Sequence, residues 1–73
     1  MFIDASAIVA VLALEPGHRE LAERIPEKNA ITSPLAIYEA TAAIVRKAKL
    51  DVSRAHALVE SFLSRLAIEV VPI

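Results

Sequence analysis

The segment Ser6-Ala7-Ile8-Val9-Ala10-Val11-Leu12-Ala13-Leu14 constrains this chain most, because it carries no charge and is apolar on every side. A helix that is hydrophobic all round is buried all round, so this one belongs at the centre of the fold. Glu15-Pro16-Gly17 closes it, with a Pro-Gly pair that stops a helix. Before it, Met1-Phe2-Ile3 reads as a short apolar strand, and Asp4 stands where strand gives way to helix. In parallel α/β sheets, ligands occupy the crevice outside the carboxyl ends of the strands. Asp4 therefore reads as a metal or substrate ligand. A carboxylate at a helix start also caps free N–H groups and complements the helix dipole, and at this point both roles stay open.

Composition narrows the function classes. A chain of 73 residues has room for one small domain that buries roughly 60% of its unfolded surface. Its hydrophobic fraction is 56%, carried by Ala, Ile, Leu and Val with 4% aromatics. That is more apolar surface than so small an interior hides, so a partner or further parts of a domain are expected to cover some of it. The absence of cysteine excludes disulfide frameworks and thiolate metal sites. Ala5 to Leu14 is far shorter than the roughly 20 residues that span a bilayer, and Asp4 comes too early for a signal peptide. The expectation is a cytoplasmic protein without membrane association. With a net charge of −1, nucleic-acid binding has to come from a local patch or from metal ions. One glycine cannot supply a dinucleotide-binding or P-loop motif, and neither H-E-x-x-H nor G-x-S-x-G occurs.

Along the rest of the chain, His18 to Ile25 places Leu21, Ala22 and Ile25 among Arg19, Glu20, Glu23 and Arg24, the pattern of an amphipathic surface helix. Pro26 to Asn29 is a turn, and Ala30-Ile31-Thr32 reads as a second strand. Ser33-Pro34 then opens a third helix, with serine at the N-cap and proline where its missing N–H costs nothing; it runs to about Lys47. Asp51 caps a fourth helix over Val52 to Leu66, whose Ala55, Leu58, Val59, Phe62, Leu63 and Leu66 form one stripe. Ile68 to Ile73 reads as a third strand. The order strand, two helices, strand, two helices, strand predicts an α/β fold with a parallel sheet.

Glu39 is the second candidate ligand. Its neighbours three and four residues away along the helix are Leu35, Ala36, Ala42 and Ala43, so an unpaired charge there would be costly to bury. The alternative is a side chain that reaches past the alanines into water. Tyr38, Ala42 and Val45 are expected to pack against a neighbouring element, leaving Glu39 on the cleft side. Ser6 could fix the Asp4 rotamer, and Arg46 is placed to meet a phosphate. Arg46, Lys47, Lys49 and Arg54 form a basic cluster that reads either as a solvated end complementing the helix dipole or as a contact for an RNA backbone. His18 and His56 have no partner at metal-ligand spacing.

Taken together, Phe2-Ile3-Asp4-Ala5-Ser6-Ala7, Glu15-Pro16-Gly17, Ile31 to Glu39 and Ile68-Glu69-Val70-Val71-Pro72 resemble the N-terminal half of a PIN domain, more narrowly that of VapC-type toxins of bacterial toxin-antitoxin pairs. The resemblance spans residues 1–73. It implies a PIN-like α/β/α sandwich, here as three strands and four helices, and a metal-dependent endoribonuclease that hydrolyses RNA phosphodiester bonds. It further implies that Asp4 and Glu39 are two of about four acids around Mg²⁺ or Mn²⁺, with Ser6 beside the site and an antitoxin tail over the cleft. The remaining acids belong to the C-terminal half; Asp51, Glu60 and Glu69 do not match their positions.

The expected enzyme is thus an incomplete domain that needs a complementing C-terminal half or self-association, such as a homodimer, before it cleaves RNA. A non-catalytic module that self-associates or binds an antitoxin tail through its apolar surface is the alternative. Phosphoryl transfer on Asp4 would want a second acid beside it, and position 6 is Ser.

Overall fold

Side-chain caps start three of the four helices. In the computed structural model, which describes residues 1–73, the order is α1 (Ala5–Leu12), α2 (His18–Arg24), β1 (Ile31–Thr32), α3 (Pro34–Ala48), α4 (Val52–Arg65) and β2 (Glu69–Val70). Asp4, Ser33 and Asp51 each accept the backbone N–H three residues on, from Ala7, Ala36 and Arg54. These bonds satisfy donors that the first turn of a helix leaves free.

The helix ends were less visible in sequence. With one glycine in the chain, left-handed backbone has to be adopted by other residues, and Leu14, Lys49 and Ala67 all take φ near 55°. At α1, Glu15 N–H donates to Ala10 O and Leu14 N–H to Val11 O. At α4, Ile68 N–H donates to Leu63 O and Ala67 N–H to Ser64 O. Both are Schellman closures. In the second, Leu63 and Ile68 are also buried together in the core, the apolar contact that accompanies such a cap.

β1 and β2 run parallel, with Ile31 opposite Glu69 and Thr32 opposite Val70. The N-terminal segment joins the other side of β1 by one parallel bridge, Phe2 to Ile31, through Ile31 N–H to Met1 O at 2.7–2.8 Å and Ile3 N–H to Ile31 O in the same range. The next ladder bond would bring the Ser33 amide to the Ile3 carbonyl. Instead the Thr32 hydroxyl donates to that carbonyl at 2.7 Å, fully buried. The structure therefore contains a short two-stranded sheet with one added bridge and four helices, where three strands of a full sandwich were expected. The strands are short for identifiable reasons. Asp4 O is taken by Ile8 N–H as α1 begins, and the Ile68 amide is spent on closing α4. Pro72 has no N–H with which to prolong a ladder.

Helices α1, α3 and α4 enclose the core, which includes Ile8, Ile37, Ile44, Val59 and Phe62. Two expectations are corrected here. Only Ile8 and Val9 of α1 are buried, so the apolar helix is covered along one arc, with Ser6 and Leu14 exposed. On α3 the core face is Ala36, Ile37, Ala40, Thr41 and Ile44. Tyr38, 71% exposed, lies with Ala42 and Val45 along an open groove instead of packing on a neighbour. Small alanines let α1 and α4 approach α3 along the arc centred near Ala40, and that contact turns Tyr38 outward. On α4, Leu58 is 40% exposed although it sits beside the buried stripe.

Two substitutions test these closures. Thr32→Val keeps the shape but leaves the Ile3 carbonyl buried and unpaired, so urea unfolding is expected to show a loss of about 1–3 kcal/mol. Ala67→Gly relieves a left-handed alanine and is expected to raise stability by about 0.5–1 kcal/mol, after the larger entropy of unfolded glycine is counted.

Candidate functional site

The exit of the first extended segment fixes Asp4. The Thr32 and Ile31 bonds hold Ile3, which is 2% exposed, and the next residue emerges at the surface in extended conformation. Asp4 Oδ1 accepts from both Ala7 N–H and the Ser6 hydroxyl, each at 2.9 Å. The cap is therefore real, and it does not use up the carboxylate. Oδ2 takes part in neither bond.

Ser6 is the link to Glu39. A cleft of about 260 Å³ runs between α1 and α3, lined by Ala5, Ser6 and Val9 on one wall and Glu39, Ala43 and Lys47 on the other, with Glu15 at its end. Ser6 thus touches Asp4 and faces the same space as Glu39. Both carboxylates are exposed, which corrects the expectation of charges held in apolar surroundings: the alanines along the seam leave room for water. Glu39 takes part in no ion pair. No three His, Cys, Asp or Glu side chains converge anywhere in the chain. Two oxygen-donor carboxylates still fit a hard divalent cation, since Mg²⁺ is commonly held by one or two carboxylates with water and substrate phosphate completing the shell.

The cation that lines this cleft is Lys47, whose Nζ lies 3.3 Å from Glu15 Oε2. Arg46 sits elsewhere, in a groove with Tyr38, Thr41, Ala42, Val45 and Val52. Helix geometry gives the reason. At 3.6 residues per turn, each step of four advances about 40° around the axis, while a step of seven falls back about 20°. Glu39, Ala43 and Lys47 therefore lean progressively toward α1, and Arg46 drifts to the exposed shoulder. In sequence Lys47 was grouped with the solvated basic end of the helix. The signal that could have singled it out is this i, i+4, i+8 line through two alanine-flanked positions.

Neither histidine enters the cleft. His18 Nδ1 lies 3.0 Å from the Glu15 carbonyl, and His56 faces Glu60 one turn along α4 at 3.3 Å. Arg54 stays beside its own cap residue, Asp51, at 3.8 Å.

The PIN-domain family profile matches residues 1–73, and the chain belongs to the PIN-domain family. It is also 38% identical to a VapC ribonuclease of Rhizobium meliloti (strain 1021), in an alignment of 78 positions covering 90% of this chain and 55% of that protein. The chain thus spans about half the length of this relative. No solved structure matches it.

The cap made by Asp4 can be separated from its charge by substitution. Asparagine caps a helix about as well as aspartate, so Asp4→Asn is expected to leave thermal stability within about 0.5 kcal/mol. Asp4→Ala, which loses the bonds to Ala7 and Ser6, is expected to cost about 1 kcal/mol.

Proposed function

We propose that this chain carries the Asp4–Glu39 side of a metal-dependent endoribonuclease of the VapC toxin type, acting on RNA phosphodiester bonds. One observation carries the reading: Ser6 is bonded to Asp4 and shares the α1–α3 cleft with Glu39. Membership of the PIN-domain family and the likeness to a VapC ribonuclease supply the reaction class.

In this proposal Asp4 Oδ2 and Glu39 hold Mg²⁺ or Mn²⁺. When bound, the ion neutralises phosphate charge and makes water a competent nucleophile at neutral pH. The chain's own residues supply orientation. Ala7 N–H and the Ser6 hydroxyl fix the Asp4 rotamer through Oδ1, leaving the other oxygen without an intrachain bond beside the cleft that Ser6 lines. Glu39 approaches from α3, a stable helix anchored by Ala40 and Ile44 in the core. Ala43 keeps the wall low enough for a backbone phosphate to approach. Arg46 is assigned to RNA contact outside the cleft, at the helix end where a cation is favoured.

Full catalysis is assigned to a domain in which further acids join these two, on the same chain or on a partner. A cognate antitoxin is proposed to regulate it, and the cytoplasm is its proposed location. No helix here is long and apolar enough to cross a membrane.

A second reading, an interaction module, has support from Tyr38 and Val52, 71% and 65% exposed along the α3–α4 groove, and from Leu35, 62% exposed in the first turn of α3. Exposed apolar surface of this kind suits self-association.

The deciding experiment is NMR with Mn²⁺. Amide signals around Asp4, Ser6 and Glu39 are expected to broaden, and both Asp4→Asn and Glu39→Gln are expected to abolish the effect. In the complete domain, Glu39→Gln is expected to lower RNA cleavage by at least about 100-fold, above the effect of losing a ligand's supporting hydrogen bond. Broadening centred on His18 or His56, or none at all, would leave the interaction module as the better account.

A further inference from the structure

Two acids proposed to hold a metal repel the phosphates of the RNA they act on until a cation offsets them. Of the seven residues lining the cleft, Lys47 is the one with a positive charge. Glu15 holds it at 3.3 Å in this structure, with the two side chains 40% and 53% exposed. An ion pair so open to solvent is weak and exchanges easily.

The two partners come from different elements. Glu15 is pinned through its backbone: its amide donates to Ala10 O in the α1 closure, and its carbonyl accepts from His18 N–H at 2.9 Å and lies 3.0 Å from the His18 ring. Lys47 extends from the last turn of α3 on a flexible four-carbon stem. When an anion enters the cleft, the lysine ammonium can swing toward it, because its pair with Glu15 is open to solvent and weak.

We infer that Lys47 is an RNA-phosphate contact of this cleft, held in reserve by Glu15 while RNA is absent and transferred to a backbone phosphate when the strand binds. Lys47 would position the strand over Asp4 and Glu39 and would take no part in bond cleavage. The inference rests on the ribonuclease reading for the identity of the anion, but it stands or falls on a different measurement.

The test is binding of a short single-stranded RNA to the chain in EDTA, where no metal contributes, across a series of salt concentrations. Each phosphate contact contributes about −0.7 to the slope of log affinity against log salt for a single strand. Lys47→Gln is expected to make the slope shallower by about 0.7 and to weaken low-salt binding roughly tenfold, in line with a charged hydrogen bond. Lys47→Arg is expected to restore both. Glu15→Gln, which releases the lysine, is expected to tighten binding, and by less when Lys47→Gln is also present. An unchanged slope in Lys47→Gln, or no measurable RNA binding by the unsubstituted chain, would overturn the assignment. Failure of Mn²⁺ to broaden Asp4 and Glu39 signals would instead remove the metal site and leave the phosphate contact intact.

Discussion

The buried bond from the Thr32 hydroxyl to the Ile3 carbonyl, 2.7 Å long, governs the geometry of the working end of this domain. A parallel ladder would have continued through the Ser33 amide, but at Ser33 the chain turns into α3 and that bond does not form. The threonine hydroxyl takes over where the backbone leaves off. It thereby lets two chain segments diverge from one strand pair: one enters α1 through Asp4, the other enters α3 through Ser33. Both helices begin side by side at the carboxyl end of the sheet, and the cleft lies between them. A buried carbonyl left without this donor would favour local fraying, which would loosen the position of Asp4 first.

Asp4 caps α1 with one oxygen of its carboxylate and keeps the other out of that cap. Two donors converge on Oδ1, fixing the rotamer and leaving Oδ2 outside both bonds. Capping is thus what orients the carboxylate. Glu39 is oriented differently, by its place on the shoulder of a helix whose opposite arc is locked in the core. The small residues Ala5 and Ala43 along the seam keep the space between them open to water and ions.

Left-handed residues without glycine are a recurrent compromise in this chain. Leu14, Lys49 and Ala67 each accept conformational strain to end a helix, and two of the three closures return backbone hydrogen bonds in exchange. The closure at Leu14 also places Glu15, whose carboxylate lies 3.3 Å from Lys47. Chain reversal, strain and the charge at the cleft's end are thus parts of one local arrangement.

Much was determined by sequence alone, because it depends on neighbours along the chain. Ser33-Pro34 and Asp51 marked helix starts, the stripe of Ala55, Val59, Phe62 and Leu63 marked a buried face, and Asp4, Ser6 and Glu39 stood out as chemically unusual where they occur. Helix order and strand direction followed from the same local signals. What tertiary structure decided was which side of each element meets another. α1 is apolar all round, so its pattern could not say which arc would be covered. Tyr38 and Ile37 are large neighbours that can both pack in a core, and the approach of α1 and α4 buried one and exposed the other. Arg46 and Lys47 are adjacent cations whose separation depends on a rotation of about 100° per residue relative to a helix packed alongside. Sequence specifies periodicity, but the phase of that periodicity against its neighbours is set by packing, and the chemistry of this cleft depends on that phase.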